Sequence, residues 1–367
     1  MSNLVLYRKY RPQSFAEVVG QEHVVQTLTN SISGKNISHA YLFSGPRGSG
    51  KTTIARLFAK AINCQDQSFF EPCNKCSSCL EIMGAKSMDL IEIDAASHTG
   101  VDDIRELIEG IKFAPIKSKY KIFIIDECHQ LSKSAANALL KTLEEPPSHA
   151  VFLLATTEAH KMIPTITSRC QRFDFKRLKV PEIIKKLEFI SKKENIKFDE
   201  SALSLIALNS RGSFRDAESL LDECVNFSGN GGTIKTEDIK ELLGVVEVSQ
   251  VSNFVDFLIF KKTKDAISSL DSMLDNGVDL QEFAKTLVFY LRQALLLKIN
   301  PDFLNPRASG FSAEEIGKMK IQTANLQERD IQKMLELFID AENKIKYSAL
   351  PQLPLELAIF DITHIVV

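Results

Sequence analysis

The sequence predicts a parallel α/β domain with helices on both faces of its sheet, followed by two helical domains. Three observations carry this. Short apolar runs at Ala40–Ser44, 89–94, Lys121–Asp126 and 151–156, with 170–175 as a candidate fifth, alternate with helical stretches at 22–32, 53–62, Val101–Ile111 and 133–143. Alternation of this kind is the signature of a parallel sheet covered by helices. The runs Ile122-Phe123-Ile124-Ile125 and Val151-Phe152-Leu153-Leu154 are apolar without polar alternation, as central strands buried on both faces require. After Val180-Pro181 the strand signals fade and helical periodicity takes over.

Each element has a local reason. The helix at 53–62 has an apolar side made of Ile54, Ala55, Leu57, Phe58, Ala61 and Ile62. Pro146-Pro147 stops the helix at 133–143, because proline lacks the N–H and disfavours helix in the residue before it. The second domain shows helical spacing at Ile183, Ile184, Leu187 and Ile190, at Leu203, Ile206 and Ala207, and at Ala217, Leu220, Leu221 and Cys224. Ser228-Gly229-Asn230-Gly231-Gly232 reads as a turn between its last helices. Beyond that the chain reads as helices alone, at 254–260, 266–274, 280–297, 314–319 and 330–345. The expected division is 1–178, 179–243 and 244–367.

Bulk properties narrow the class. The 367 residues are 44% hydrophobic and 25% charged, ordinary for a globular chain. A formal net charge of −2 excludes a global basic field, so any nucleic-acid contact must come from local charge placement. No apolar run approaches the length of a membrane span. The N-terminus carries Arg8, Lys9 and Arg11 and no long apolar core, so it does not read as a signal peptide. The expected location is the cytoplasm.

Gly45-Pro46-Arg47-Gly48-Ser49-Gly50-Lys51-Thr52 matches G-x-x-x-x-G-K-[ST], the phosphate-binding loop of nucleoside triphosphatases. It lies between the strand Ala40–Ser44 and the helix that Thr53 opens. That arrangement presents backbone N–H groups and a helix N-terminus to phosphates. Lys51 should reach the β- and γ-phosphates, and the Thr52 hydroxyl should ligate Mg²⁺. The loop from Gly45 through Thr53 is thus the candidate site for ATP.

The strand Lys121–Asp126 ends in Asp126-Glu127. Asp126 is placed to hold Mg²⁺ and Glu127 to polarise an attacking water. The next strand ends in Thr156-Thr157, where a polar tip can hydrogen-bond that water or the γ-phosphate. Arg169, in Ser168-Arg169-Cys170, is a candidate finger for charge on the phosphoryl group. Arg215, opening a helix of the second domain, is a candidate nucleotide sensor from the lid side.

Seven cysteines are present, and four cluster as Cys64-x8-Cys73-x2-Cys76-x2-Cys79. In a reducing compartment that spacing points to metal and not to disulfides. Four thiolates fill the tetrahedral shell of Zn²⁺ and leave no open position, so the zinc would be structural. The knuckle at 64–79 would be an insertion between the glycine-loop helix and the next strand.

These residues together resemble the gamma/tau subunits of the bacterial DNA polymerase III clamp loader, within the AAA+ ATPase class. The matching segments include Tyr7-Arg8-Lys9-Tyr10-Arg11-Pro12, Val18-Val19-Gly20-Gln21, His39 to Gly48, the four cysteines, Glu92-Ile93-Asp94-Ala95-Ala96-Ser97 and Asp126-Glu127-Cys128-His129. They continue through Leu139 to Pro147, Ala155-Thr156-Thr157, Ser168-Arg169-Cys170 and Gly212-Ser213-Phe214-Arg215-Asp216-Ala217. The likeness is dense over the first two domains. Over the C-terminal helices it rests on length and helical character.

The resemblance implies an AAA+ domain with an inserted zinc knuckle, a helical lid and an all-α collar. It implies that Tyr7, Arg11, Val18 and Val19 line the adenine and ribose pocket. Arg169 would act in trans on a neighbour's ATP, and Arg215 would be the cis arginine of the lid. The region of Ser97, Thr99 and Arg105 would face duplex DNA through helix N-termini, independent of sequence. Implied partners are the delta and delta-prime subunits, further gamma/tau copies, the β sliding clamp and primer–template DNA. The implied task is ATP-driven opening and loading of that clamp.

A tau form would continue into domains that contact helicase and polymerase; the sequence stops at Val367, and a gamma-like form and a shortened tau read alike here. Other readings are weaker. A delta-prime-like subunit shares the knuckle, but its glycine loop is typically degenerate, whereas Gly45 to Thr52 is intact. A Holliday-junction motor does not account for the knuckle or Ser168-Arg169-Cys170. A non-hydrolysing scaffold does not account for Asp126-Glu127 with Thr157 and Arg169. A GTPase would need an Asn-Lys-x-Asp motif, and Asn74-Lys75-Cys76-Ser77 lacks the Asp.

Overall fold

The computed structural model describes residues 4–66, 70–97, 101–229, 232–242, 247–300, 311–324 and 326–364, without the side chains of 101–103, 105, 200, 240, 241 and 313. The chain divides into two compact units, Met1–Thr236 and Glu237–Val367.

The first unit is built on five parallel strands: β1 (Ala40–Ser44), β2 (Leu90–Asp94), β3 (Lys121–Asp126), β4 (Ala150–Thr156) and β5 (Gln171–Asp174), ordered β2-β3-β4-β1-β5. Helices α1 (Leu6–Lys9), α2 (Glu22–Ser33), α3 (Lys51–Ile62), α4 (Ser77–Met83), α5 (Val101–Ile111), α6 (Lys133–Glu144) and α7 (Pro164–Thr167) accompany it. The parallel sheet is as expected from the alternation. Helix α3 starts two residues earlier than the apolar side implied, because its first turn is the polar end of the glycine loop.

Side-chain alternation explains why the central strands are uniformly apolar. Tyr41, Phe43, Ile122, Ile124, Val151 and Leu153 share one core with Ile54, Leu57 and Phe58 of α3. Leu42, Phe123, Ile125, Phe152 and Leu154 share the opposite core with Leu107, Ile111, Leu139 and Leu143 of α5 and α6. Every position of β1 and β4 is therefore buried. Aromatic rings pack in both layers: Tyr41 meets Phe58 edge-on at 4.8 Å, and Phe123 stacks on Phe152 at 5.4 Å. The Arg56 guanidinium ties α3 to β2 by a bidentate pair with Glu92, at 2.8 and 2.6 Å.

The rest of this unit is helical: α8 (Val180–Glu194), α9 (Glu200–Asn209) and α10 (Phe214–Ser228). Ser213 caps α10 by accepting from Asp216 N at 3.2 Å, which satisfies one of the otherwise unpaired N–H groups of the first turn. One expectation needs correction. Strand structure does not end at Val180, since Lys197–Phe198 and Thr233–Ile234 form a short parallel pair. A two-residue ladder has too little periodicity to be read from sequence. The turn expected at 228–232 lies partly outside the described residues.

The second unit contains the helices Val248–Ile259, Thr263–Asp275, Leu280–Ile299, Ala313–Ala324, Glu328–Ile345 and Leu353–His364. Its core centres on Phe254, which meets Phe283 edge-on at 5.0 Å and Phe338 at 6.2 Å. A buried polar cluster is internally paired. Tyr290 donates to Gln322 Oε1 at 2.6 Å, and Gln322 Nε2 donates to Ser252 O at 2.8 Å and Asp256 Oδ1 at 2.7 Å. Among the described residues no helix is long and apolar enough to cross a membrane.

Candidate active site

The strand order places the site. Strand β4 lies between β1 and β3, so the loop after β1 and the acids after β3 flank the tip of β4 at the carboxyl edge of the sheet. Ligands of open parallel sheets bind at such an edge, where the strand order reverses.

The glycine loop takes conformations that only glycine adopts cheaply. Gly48 has φ 73°, and a Cβ there would sit 1.8 Å from Ser213 Oγ of the lid. Gly50 has φ 97° and open space around it, so its requirement is conformational: it turns the chain into α3. Lys51 is buried, and its ammonium donates to the carbonyls of Gly45 and Pro46 at 2.8 and 2.9 Å. Burial pulls its pKa down, and the nearby Glu127 and Asp126 carboxylates oppose that. The lysine is thus held inside a bend of backbone carbonyls, beside two acids.

Thr52 and Asp126, 74 residues apart, meet directly: Thr52 Oγ1 donates to Asp126 Oδ2 at 2.6 Å. Asp126 Oδ1 accepts from Glu127 N at 2.9 Å. Glu127 has φ 46° and ψ 42°, a left-handed backbone that costs a non-glycine residue about 1–2 kcal/mol. Its carboxylate is fixed from the tip of β4, where Thr157 N and Oγ1 donate to Oε2 at 3.2 and 2.7 Å. The largely buried His129 lies beside it. Its Nδ1 is 3.0 Å from Thr156 Oγ1 and 3.4 Å from Glu127 Oε2, and its Nε2 is 3.1 Å from Glu158 Oε2.

A cavity of about 350 Å³ opens over this constellation. Its lining includes Tyr7, Arg11, Val18, Val19, Arg47, Gly48, Ser49, Gly50, Lys51, Thr52, Thr53, Asp126, Glu127 and Arg215, all singled out from the sequence. Gly45, Pro46 and Thr157 stand behind that lining, through their bonds to Lys51 and Glu127. The Arg215 guanidinium lies 5.0 Å from the centroid of the Tyr7 ring, so lid and N-terminal segment meet across the cavity.

Arg169 is placed elsewhere. Its guanidinium pairs with Glu144 at 2.7 Å and donates to Thr165 O at 2.8 Å, and it is not part of the cavity wall. Ser97 is exposed after β2, and its N–H donates to Asp94 O at 3.1 Å. Thr99 and the Arg105 side chain lie outside the described residues.

Sequence reading missed Pro12, Glu17, Asp94, Lys186, Phe214 and Glu218 in the wall, and His129 beside Glu127. Phe214 and Glu218 flank Arg215 at helical spacing, which is the one signal that could have found them.

Glu218 is buried, and burial pushes its carboxyl up to about 7, opposed by Lys186. An unfolded chain ionises this group near 4.5. Between those values the folded chain keeps a proton that the unfolded chain releases, so stability falls as pH rises from about 4.5 to 7. The penalty is complete above 7, at up to about 3 kcal/mol. Glu218→Gln is expected to raise the unfolding temperature at pH 8 and to match the parent near pH 4.5. Calorimetry of the full chain at both pH values checks this, and equal temperatures at pH 8 would refute it.

The four clustered cysteines also come together. Their Sγ atoms lie within 4.8 Å of one another, and none of the four forms a disulfide. Backbone N–H groups of Cys73, Cys76 and Cys79 point at the sulfurs of Cys64, Cys73 and Cys76 at 3.4, 3.4 and 3.5 Å. The N–H groups of Lys75 and Cys76 pull the Cys73 thiol down to about 6. Helix α4, unforeseen in the sequence, begins right after Cys76.

A glycine loop between β1 and α3, an acid pair at the end of β3 and a strand inserted between them define a P-loop nucleoside triphosphate-binding protein of the AAA+ class. Comparison with known sequences agrees. Residues 20–179 match the family described as DNA polymerase III, delta subunit. Residues 182–230 match the clamp loader subunit ATPase lid domain, and 234–366 match domain III of subunits gamma and tau. The chain is 36% identical to DNA polymerase III subunit gamma of Buchnera aphidicola, over 99% of both chains. It is 42% identical to subunit tau of Bacillus subtilis and 38% identical to subunit tau of Escherichia coli, over 99% and 95% of its own length. The chain belongs to the DNA polymerase III gamma/tau clamp-loader family. It spans 63% and 53% of the lengths of those two tau relatives.

Proposed function

We propose that this chain is an ATP-driven motor subunit of a bacterial replicative clamp loader, which opens the β sliding clamp and loads it on primed DNA. The observation that carries the reading is the single cavity that gathers the glycine loop, the Asp126-Glu127 pair and Arg215 of the lid, in a chain of the gamma/tau family. The functional division we adopt is an AAA+ domain at 1–178, a lid at 179–243 and a collar at 244–367.

The residues take the following parts. The N–H groups of Gly45 to Thr53 cradle the phosphates, and Lys51 releases its two carbonyls to reach the β- and γ-oxygens. Tyr7, Arg11, Val18 and Val19 enclose adenine and ribose. Thr52 and Asp126 would hold Mg²⁺, which would neutralise charge developing on the phosphates. Their hydroxyl–carboxylate pair supplies two oxygen ligands of the kind this ion takes. Glu127 accepts the proton of the attacking water, with Thr157 and His129 holding its carboxylate. Arg215 senses the nucleotide in cis, and Arg169, which is not in the wall of its own cavity, reaches a neighbour's ATP.

Cys64, Cys73, Cys76 and Cys79 would hold a structural zinc. A tetrahedral Zn–S bond of about 2.3 Å requires sulfurs about 3.8 Å apart, and the spacing of up to 4.8 Å needs little adjustment to meet it. Ser97, with Thr99 and Arg105, belongs to the segment that would face duplex DNA. The second unit exposes Leu353, Leu357 and Phe360 along its last helix, an i, i+4, i+7 stripe suited to packing against a neighbouring subunit. The partners are the delta and delta-prime subunits, further gamma/tau copies, the β clamp and primer–template DNA, in the cytoplasm.

Steady-state phosphate release by the purified chain tests the reading. With delta, delta-prime, β clamp and primed DNA together, the rate is expected to rise well above that of the chain alone. A rate indifferent to clamp and DNA would sink the clamp-loading function and leave an ATPase of another task.

A further inference from the structure

The cysteine module grips the segment that forms one wall of the nucleotide cavity. The Glu71 carboxylate, two residues before Cys73, accepts from Phe15 N at 2.8 Å and from Ala16 N at 3.0 Å. These are the first N–H groups of the short turn Phe15–Glu17, which has no internal partner for them. Asn74, between Cys73 and Cys76, donates from Nδ2 to Gln13 O at 3.1 Å. Its left-handed backbone, φ 56°, belongs to the tight turn that brings the two cysteines together. From the other side the buried Lys60 of α3 donates to Gln13 Oε1 at 3.0 Å. The same stretch, on either side of 13–16, places Arg11, Pro12, Glu17, Val18 and Val19 in the cavity wall.

We infer that the cysteine module is a clamp for the nucleotide site: metal bound by its four thiols orders Glu71 and Asn74, and these positioning residues hold 13–16 so that the flanking wall meets the nucleotide. This rests on the nucleotide reading of the cavity proposed above. The effect is one of conformational entropy. The described residues 64–66 and 70–76 lie in no helix or strand, so without a metal crosslink little fixes Glu71 and Asn74. Residues 11–19 likewise have only one short turn and depend on side chains from elsewhere to stay in place. A wall that must be ordered on binding lowers affinity without altering the chemistry at Glu127.

The test is titration of the full chain with a fluorescent ATP analogue, alongside zinc content and steady-state ATPase. One zinc per chain is expected. Glu71→Ala, which touches neither metal nor nucleotide, should weaken nucleotide binding about tenfold, or about 1.4 kcal/mol. Zinc content and kcat should stay unchanged and KM should rise. Glu71→Gln keeps an acceptor oxygen and should recover part of the loss. Stripping zinc from the parent should weaken binding similarly, and stripping it from Glu71→Ala should add little. Unchanged affinity in Glu71→Ala, fully additive losses, or absence of zinc would overturn the inference. Lys51→Ala serves as the separate control: if it binds as the parent does, the nucleotide reading of the cavity is what fails.

Discussion

Glu127→Gln is expected to lower steady-state ATP turnover by about 10²–10⁴-fold, the range lost when a positioned general base is removed. Nucleotide binding should survive. The amide oxygen of Gln can still accept from Thr157 N and Oγ1, so the loop after β3 keeps its left-handed turn. The cavity keeps its glycine loop, Lys51 and Arg215. What disappears is the basic carboxylate proposed to take a proton from water. Phosphate release and equilibrium binding, measured on the same preparation, separate the two. A variant that turns over within a few-fold of the parent would remove Glu127 from the role of base.

The second large effect belongs to Arg169. Its guanidinium is held by Glu144 and Thr165 on the outside of its own site, and its side chain remains about one-third exposed, at 34%. An arginine outside the wall of its own cavity is available to a γ-phosphate presented by a neighbour. In the assembled loader, Arg169→Ala should reduce stimulated turnover by about 10³–10⁵-fold, the range for an arginine finger supplied in trans. The pair with Glu144 is a surface ion pair of small intrinsic value, so releasing the arginine to a neighbour costs little. If stimulated turnover of the complex is the same with Ala at this position, the trans assignment falls.

In the sequence, Thr157 reads as a polar tip placed for water or phosphate. The structure puts its hydroxyl and N–H on Glu127 instead, while Thr156, the other half of the pair, serves His129. The tip therefore acts on the carboxylate.

The strands, the glycine loop, the acid pair and the cysteine cluster were legible because their signals are local. An apolar run reflects a strand buried on both faces, a helix reflects its 3.6-residue period, and the loop and cysteine motifs lie within short spans. The signals that failed were weak or distant. The pair Lys197–Phe198 with Thr233–Ile234 is too short to show a period. The cavity residues Lys186 and Glu218 sit on lid helices where a charged residue ordinarily reads as a solvated face. Nothing around Glu218 in the sequence shows that its carboxyl is buried.

The chain's local patterns were thus enough to establish a P-loop α/β domain, an acid pair at the end of β3 and a four-thiol cluster. Folding supplied the partnerships: Thr52 with Asp126, Glu127 with Thr157, Glu71 with Phe15 and Ala16, Arg215 with Tyr7. Each joins residues tens to hundreds of positions apart. Such pairs follow from the order in which strands assemble and the way the lid closes on the loop, and composition or periodicity carries no record of either.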